Sequence, residues 1–77
     1  MNAEKSVGLL QRQNNSLEEV LTTIDKMQVI VKMNMKNEEE SAVVVEITES
    51  IKGLITSKLE LNAALQGLLT NHPRILD

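Results

Sequence analysis

Apolar residues recur every seven positions in both halves of the chain. Such a spacing keeps one stripe of a helix turned toward a neighbouring helix, as in a coiled coil. The pattern therefore predicts an all-α protein in which two long helices pack along a common seam. In the first helix, the predicted seam residues are Leu10, Leu17, Val20, Ile24, Met27 and Val31. In the second helix, they are Val44, Ile47, Ile51, Leu54, Leu61, Leu65 and Leu68.

The numbering of the two repeats predicts an antiparallel pairing. Residues that face each other across an antiparallel hairpin have numbers with a constant sum. Pairing Val31 with Ile47 gives a sum of 78, and this sum also pairs most of the other repeat residues. Half of it falls at Glu39, inside residues 36–41, the most polar stretch of the chain. The sequence therefore predicts a helical hairpin with its tip near Glu39, forming a single domain over residues 1–77.

Capping signals set the expected boundaries of the helices. Asn37 precedes three glutamates, which places an N-cap side chain and then negative charges at the positive end of a helix. Asn71, His72 and Pro73 form a stop signal, because proline disfavours helical geometry at the residue before it. The predicted elements are helix one over about 3–36, a tip over about 37–41, helix two over about 38–70 and a C-terminal tail over 71–77.

Two alternatives to this hairpin remain open in the sequence. Ser16 begins a capping box that could start a helix there and leave residues 3–13 as a separate short helix. Apart from Ile30, residues 28–36 alternate between apolar and polar, and residues 42–48 are rich in β-branched side chains, which would suit an α-β-β-α domain. A continuous helix one is favoured because Leu10 and Leu17 keep the same heptad phase. The helical hairpin is favoured because the intervening turn lacks the glycine that tight β-hairpins prefer.

Composition excludes most kinds of chemistry. The chain has no Cys, Phe, Trp or Tyr and one histidine, His72, so the usual zinc and nucleophilic sites cannot be assembled. The net charge of −3 disfavours a nucleic-acid backbone as partner, since such binding needs clustered Lys and Arg. We therefore expect no catalytic, metal-ligating or cofactor-binding residue, no small-molecule substrate and no nucleic-acid partner.

The apolar runs are too short for a membrane span. The longest covers residues 42–45, and the first ten residues lack the apolar core of a signal peptide. A helix lying on a membrane surface is disfavoured by the negative charge and by the absence of Trp and Phe. By elimination, the expected location is the cytoplasm, without a membrane partner.

A second apolar stripe lies beside the predicted seam. A lone hairpin of this length has a net stability near zero, so an additional stripe predicts further helices packed against it. The expected partner is protein: a homo-oligomer, with a dimer favoured, or a heterologous helix. The predicted partner-binding residues are Leu9, Leu21, Ile30, Val43, Ile55, Leu59 and Leu69.

Lys58 interrupts the apolar repeat of the second helix. It takes a seam position opposite Val20 in the predicted pairing, where a polar residue fixes the register of a coiled coil at a cost in stability. Alternatively, its aliphatic stem lies along the seam while its ammonium group reaches water. The expected function is a non-enzymatic protein-interaction module, similar in shape to small helical-hairpin adaptors and secretion co-chaperones, an analogy of fold alone. The alternative is a small regulator that sequesters an enzyme or a transcription factor.

Overall fold

Two long antiparallel helices make up most of the molecule. The computed structural model describes residues 2–76, with α1 over Asn2–Asn34, α2 over Glu38–Asn71 and a 3-10 helix over Pro73–Leu76. The two long helices pack against each other in a hairpin that measures 56 × 15 × 12 Å. Residues 2–76 contain no strand, so the helical hairpin is confirmed and the α-β-β-α alternative is wrong.

The tip of the hairpin is a three-residue connection, residues 35–37. Asn37 has extended backbone geometry, and its side-chain Oδ1 accepts hydrogen bonds from the backbone N–H groups of Glu39 at 3.0 Å and Glu40 at 3.2 Å. These bonds satisfy amides that would otherwise lack partners at the start of α2, and the three glutamates face the positive end of the helix dipole. The predicted N-cap at Asn37 is confirmed, and the tip lies slightly earlier in the chain than predicted.

Helix α1 runs without a break through Asn14 and Asn15. The capping-box signal at Ser16 therefore does not start a new helix, because the inward heptad of α1 continues on both sides of it. At the other end of the chain, α2 stops at Asn71, where the backbone N–H of His72 donates to the carbonyl oxygen of Leu68 at 2.8 Å.

The 3-10 helix closes the open end of the hairpin. It contacts both α1 and α2, and the side-chain Nδ2 of Asn2 donates to the carbonyl oxygen of Leu76 at 3.0 Å. The segment predicted as a tail is therefore folded back onto the helices over the residues that the structure describes. Asp77, the last residue of that predicted tail, lies outside them.

The inner face of α1 combines one predicted repeat with an unpredicted one. Leu10, Leu17 and Val31 are half-buried and Ile24 is buried, so this repeat faces α2. Val20 and Met27 were also predicted to face α2, and this is corrected by the structure, because 44% and 47% of their surface is exposed. Their places on the inner face belong to Val7, Asn14, Leu21 and Gln28, and the same spacing reaches the half-buried Met35 in the tip.

Helix α2 turns a different face inward from the predicted one. The predicted seam residues Ile47, Ile51, Leu54, Leu61, Leu65 and Leu68 are 41–72% exposed, and Val44 is half-buried. The inner face of α2 instead carries Val45, Thr48, Lys52, Ile55, Leu59, Asn62, Gln66 and Leu69. Each of these inner positions follows a predicted seam position by one residue, so α2 is rotated by about 100° from the predicted phase. The predicted seam of α2 is therefore corrected, and the physical reason lies in polar groups between the helices.

Gly53 lies in the middle of α2 on a side that contacts nothing in the hairpin. A Cβ atom built there meets no heavy atom within 4 Å. Gly53→Ala is therefore expected to raise the free energy of unfolding by about 0.5–1 kcal/mol, because alanine loses less backbone entropy in a helix. Urea denaturation followed by circular dichroism measures this change, and a lowered midpoint would contradict the exposure of this side of α2.

Candidate functional site: an apolar face on the hairpin

Two polar layers lie between the helices. Gln28 donates through its side-chain Nε2 to Thr48 Oγ1 at 2.8 Å and to Glu49 Oε1 at 3.0 Å. About two heptads away, the side-chain Nδ2 of Asn62 donates to Gln13 Oε1 at 2.7 Å and to Asn14 Oδ1 at 2.9 Å. Buried polar groups need such partners, since a group left unpaired costs about 1–3 kcal/mol.

These layers explain the rotation of α2. Gln28, Thr48 and Asn62 are all buried, and Asn62 is 1% exposed. Their side chains meet only when the inner face of α2 is turned toward α1. Turning the predicted seam residues of α2 toward α1 would break both sets of hydrogen bonds. The pairing of polar groups therefore determines which face of α2 packs against α1, although the predicted seam contains more apolar residues.

An ion-pair group lies at the edge of the same interface. Lys52 Nζ is 2.6 Å from Asp25 Oδ1 and 3.3 Å from Glu49 Oε1. The hydrogen bond from Gln28, together with Lys52, lowers the pKa of Glu49 below its ordinary value. The hydrogen bond to Asp25, with a smaller contribution from Glu49, raises the pKa of Lys52. Because these groups are open to solvent, their ion pairs add little to the stability of the fold, and we assign them a role in orienting the two helices.

The two pKa shifts predict a pH profile. The lowered pKa of Glu49 contributes stability that is complete above the ordinary pKa of a glutamate and is lost as the pH falls through the lowered pKa. The raised pKa of Lys52 contributes stability that is complete below the ordinary pKa of a lysine and is lost as the pH rises through the raised pKa. Lys52→Met should therefore flatten the alkaline decline in the free energy of unfolding. Lys26→Met is the matched control, and equal profiles for the two variants would contradict the role of Lys52.

The ion pairs define a polar face of the hairpin. Lys52 contacts both Asp25 of α1 and Glu49 of α2, so the flanks that carry these two carboxylates lie on the same side of the molecule. Residues at heptad spacing from them share this side. The polar face consists of Gln11, Glu18, Asp25 and Lys32 on α1 and Ala42, Glu49, Thr56, Ala63 and Thr70 on α2.

The opposite flanks of both helices form an apolar face. Met27 on α1 and Ile51 on α2 lie across their helices from Asp25 and Glu49, and apolar residues at heptad spacing continue each row. All of these side chains are large, and between 41% and 72% of the surface of each is exposed. The apolar face consists of Leu9, Val20, Met27 and Ile30 on α1 and Ile47, Ile51, Leu54, Leu61, Leu65 and Leu68 on α2.

The predicted partner-binding residues divide between the interior and the surface. Leu69 is buried and Leu21, Ile55 and Leu59 are half-buried on the inner faces, which corrects their assignment to a surface stripe. On α2, these residues face inward because the helix is rotated by about 100° from the predicted phase. On α1, Leu21 occupies an inner position that the predicted repeat did not include. Leu9 and Ile30 lie on the apolar face, at 62% and 58% exposure, and Val43 is exposed near the tip.

Lys58 lies within the apolar face rather than in the seam. Its side chain is exposed, and it belongs to the same row as Ile51 and Leu65. The predicted position opposite Val20 inside the hairpin is therefore corrected. Lys58 is the one charged residue within this row on the described part of α2, and apolar residues lie on both sides of it along the helix.

The described residues offer little else that resembles a site. The depressions on their surface are open rather than enclosed, and residues 2–76 contain no group of three or more His, Asp or Glu side chains that could hold a metal ion. Neither described helix combines the length and hydropathy needed to cross a bilayer. Comparison with protein-family models, curated proteins and solved structures gives no match for this chain. The apolar face is therefore the feature on which a functional proposal can be built.

Proposed function

We propose that this protein is a non-enzymatic protein-interaction module that binds through its apolar face. The observation that carries the proposal is the exposure of ten large apolar side chains along one side of a hairpin whose other side is polar. From the exposed fractions, these residues together expose roughly 900 Å², and large exposed apolar surfaces often mark interaction sites. A surface of this size favours a binding role.

The thin interior of the hairpin supports the same proposal. Ala3, Ile24 and Leu69 are the buried apolar residues among those described, and the other apolar side chains between the helices are half-buried. Two helices with so small an apolar core gain little net stability by themselves. Covering the apolar face would add the burial that the interior lacks, so we infer that binding and folding are coupled in this protein.

The chemistry of the apolar face fits protein better than lipid. Its apolar residues are aliphatic or Met, without the Trp and Phe that anchor helices at a bilayer surface, and the chain carries a net charge of −3. Rows at heptad spacing suit the side chains of other helices, which pack between them as knobs into holes. A sequestering regulator would use the same surface on a heterologous helix.

Charges placed on the apolar face test the proposal. The double variant Leu54→Lys with Leu61→Lys should lose its association with itself or with a partner, since both side chains are more than 60% exposed and neither belongs to the interior of the hairpin. Sedimentation velocity on the purified chain and on a tagged chain in native lysate measures the association. Thr56→Lys with Ala63→Lys is the matched control, because it adds the same charges to the polar face of the same helix. A wild-type chain that is monomeric at 8.6 kDa and enters no complex in lysate would contradict the proposal.

A further inference from the structure

We propose that a second copy of the chain covers the apolar face, forming a four-helix bundle in which both hairpin tips lie at the same end. This inference rests on the proposed function and specifies its partner. The apolar face spans two helices side by side and runs from Leu9 and Leu68 near the open end to Ile30 and Ile47 near the tip. A second hairpin presents a surface of the same width, length and apolar character.

The area of the apolar face matches what a stable dimer needs. A standard protein interface buries about 800 Å² on each partner, and the apolar face exposes roughly 900 Å². A homodimer with two-fold symmetry uses the same patch on both subunits, so one apolar face is sufficient to close the assembly.

Lys58 lies halfway along the hairpin. The hydrogen bonds between Gln28 and Thr48 and between Asn14 and Asn62 fix which residues of α1 and α2 are level with each other. By the same pairing, Lys58 is level with Glu18, near the middle of α1. The charge on the apolar face is therefore close to the midpoint of the molecule.

This position of Lys58 distinguishes the two symmetric ways of stacking the hairpins. With the tips at opposite ends and the apolar faces fully overlapped, α2 lies over α2 of the partner subunit. The two copies of Lys58 then meet at the symmetry axis, inside an apolar interface. Like charges held together there repel each other strongly, because little water remains to screen them. Sliding the subunits apart would separate the charges but would also uncover part of the apolar face.

With the tips together, α2 lies over α1 of the partner subunit, and the rows complement each other. Lys58 is then level with Glu18 of α1 in the second copy, where the same flank carries the exposed residues Ser16 and Val20 on either side. Apolar residues of α2 toward either end are level with apolar residues of α1: Leu68 with Leu9, and Ile47 with Ile30. The geometry therefore favours the bundle with both tips at one end.

The distance between two spin labels tests this arrangement. The chain contains no cysteine, and Lys36 is exposed in the tip, so Lys36→Cys places one label at the tip without touching either face. Because packed helices lie about 8–10 Å apart, the labels in a tips-together dimer should lie within roughly 30 Å of each other. Tips at opposite ends would separate them by most of the 56 Å length of the hairpin. Double electron–electron resonance on the dimer measures the distance, and a long separation would overturn the proposal.

The same labelled protein separates failure of this inference from failure of the proposed function. A monomer, identified by sedimentation and by the lack of a label–label distance, would overturn the second copy as occupant. A photo-crosslinking residue at Leu54 in that monomer, compared with one at Thr56, then reports whether a different protein occupies the apolar face. Crosslinking specific to Leu54 would leave the interaction function standing, whereas equal or absent crosslinking at both positions would contradict that function as well.

Discussion

Replacing Lys58 with leucine is expected to tighten the assembly about 100-fold. The ammonium group is the charge in the middle of the apolar face, and covering that face forces it to shed water or to bend its stem toward the rim. Lys58→Leu removes this cost and adds apolar surface worth about 1.5 kcal/mol in each subunit. Two such gains in a dimer amount to about 3 kcal/mol, which corresponds to the expected fall in Kd. Sedimentation over a dilution series measures this change, and the thermal midpoint should rise with it.

Lys32→Leu is the matched control for Lys58→Leu. Lys32 is also exposed, but it lies on the polar face, so the same substitution should leave the Kd unchanged. A second readout follows from the proposed orientation. Without the charge, the tips-apart dimer is no longer penalised, and tip labels on Lys58→Leu should show a long distance alongside the short one. Equal dissociation constants for Lys58→Leu, Lys32→Leu and wild type would show that the apolar face around residue 58 stays open to water.

Asn62→Asp is expected to lower the free energy of unfolding by about 2–4 kcal/mol at neutral pH. Asn62 is 1% exposed and donates its amide hydrogens to Gln13 and Asn14. An aspartate of the same shape has no such hydrogens and places a carboxylate where water cannot reach it. Burial raises the pKa of such a carboxyl group, so part of the lost stability should return as the pH falls and the group becomes neutral. Urea denaturation at neutral and acidic pH measures both effects.

Asn15→Asp is the matched control for this substitution. Asn15 follows Asn14 directly in α1 but is exposed, so the same change of one amide to one carboxylate should cost little. If Asn62→Asp were as stable as Asn15→Asp, the polar layer around Asn62 would be open to solvent and could not set the rotation of α2.

The architecture of this protein could be predicted from local signals. The cap at Asn37 and the stop at Asn71 and Pro73 are short-range effects of hydrogen bonding and ring geometry, and the heptads identify long helices without knowledge of the partner. The midpoint of the heptad pairing lies close to the observed tip. These features do not depend on which side of each helix faces inward.

The rotation of α2 could not be predicted from apolar periodicity. Both rows of α2 recur every seven residues, and the exposed row, with Ile47, Leu54 and Leu61, is more apolar than the buried one. The apolar pattern therefore indicates that α2 has two packing surfaces but not which of them faces α1. Under the proposed dimer, the more apolar row would pack against the second copy, and a single sequence does not indicate such a contact.

A usable signal was present in the polar residues. Asn14 and Gln28 are fourteen positions apart on α1, and Thr48 and Asn62 are fourteen positions apart on α2. Gln28 bonds to Thr48 and Asn14 bonds to Asn62, and the residue numbers of these two pairs have the same sum. Matched spacing of hydrogen-bonding side chains at heptad positions on two helices indicates that they form layers of a common interface. Polar residues at such positions are known to fix register, and here they also fix rotation.

The one-residue offset between the two rows of α2 also affects the energy landscape. A rotation of α2 by about 100° replaces one apolar packing face with the other. Apolar contacts alone therefore give the folding chain two free-energy minima of similar depth. The hydrogen bonds of Gln28 and Asn62 are directional and form in only one of the two arrangements, so they lower the free energy of that arrangement relative to the other. Removing both layers, as with Gln28→Leu and Asn62→Leu, would therefore be expected to yield a chain that stays helical but loses a unique fold. Such a chain would have the broad side-chain resonances of a molten state, and its leucines would be divided between interior and surface.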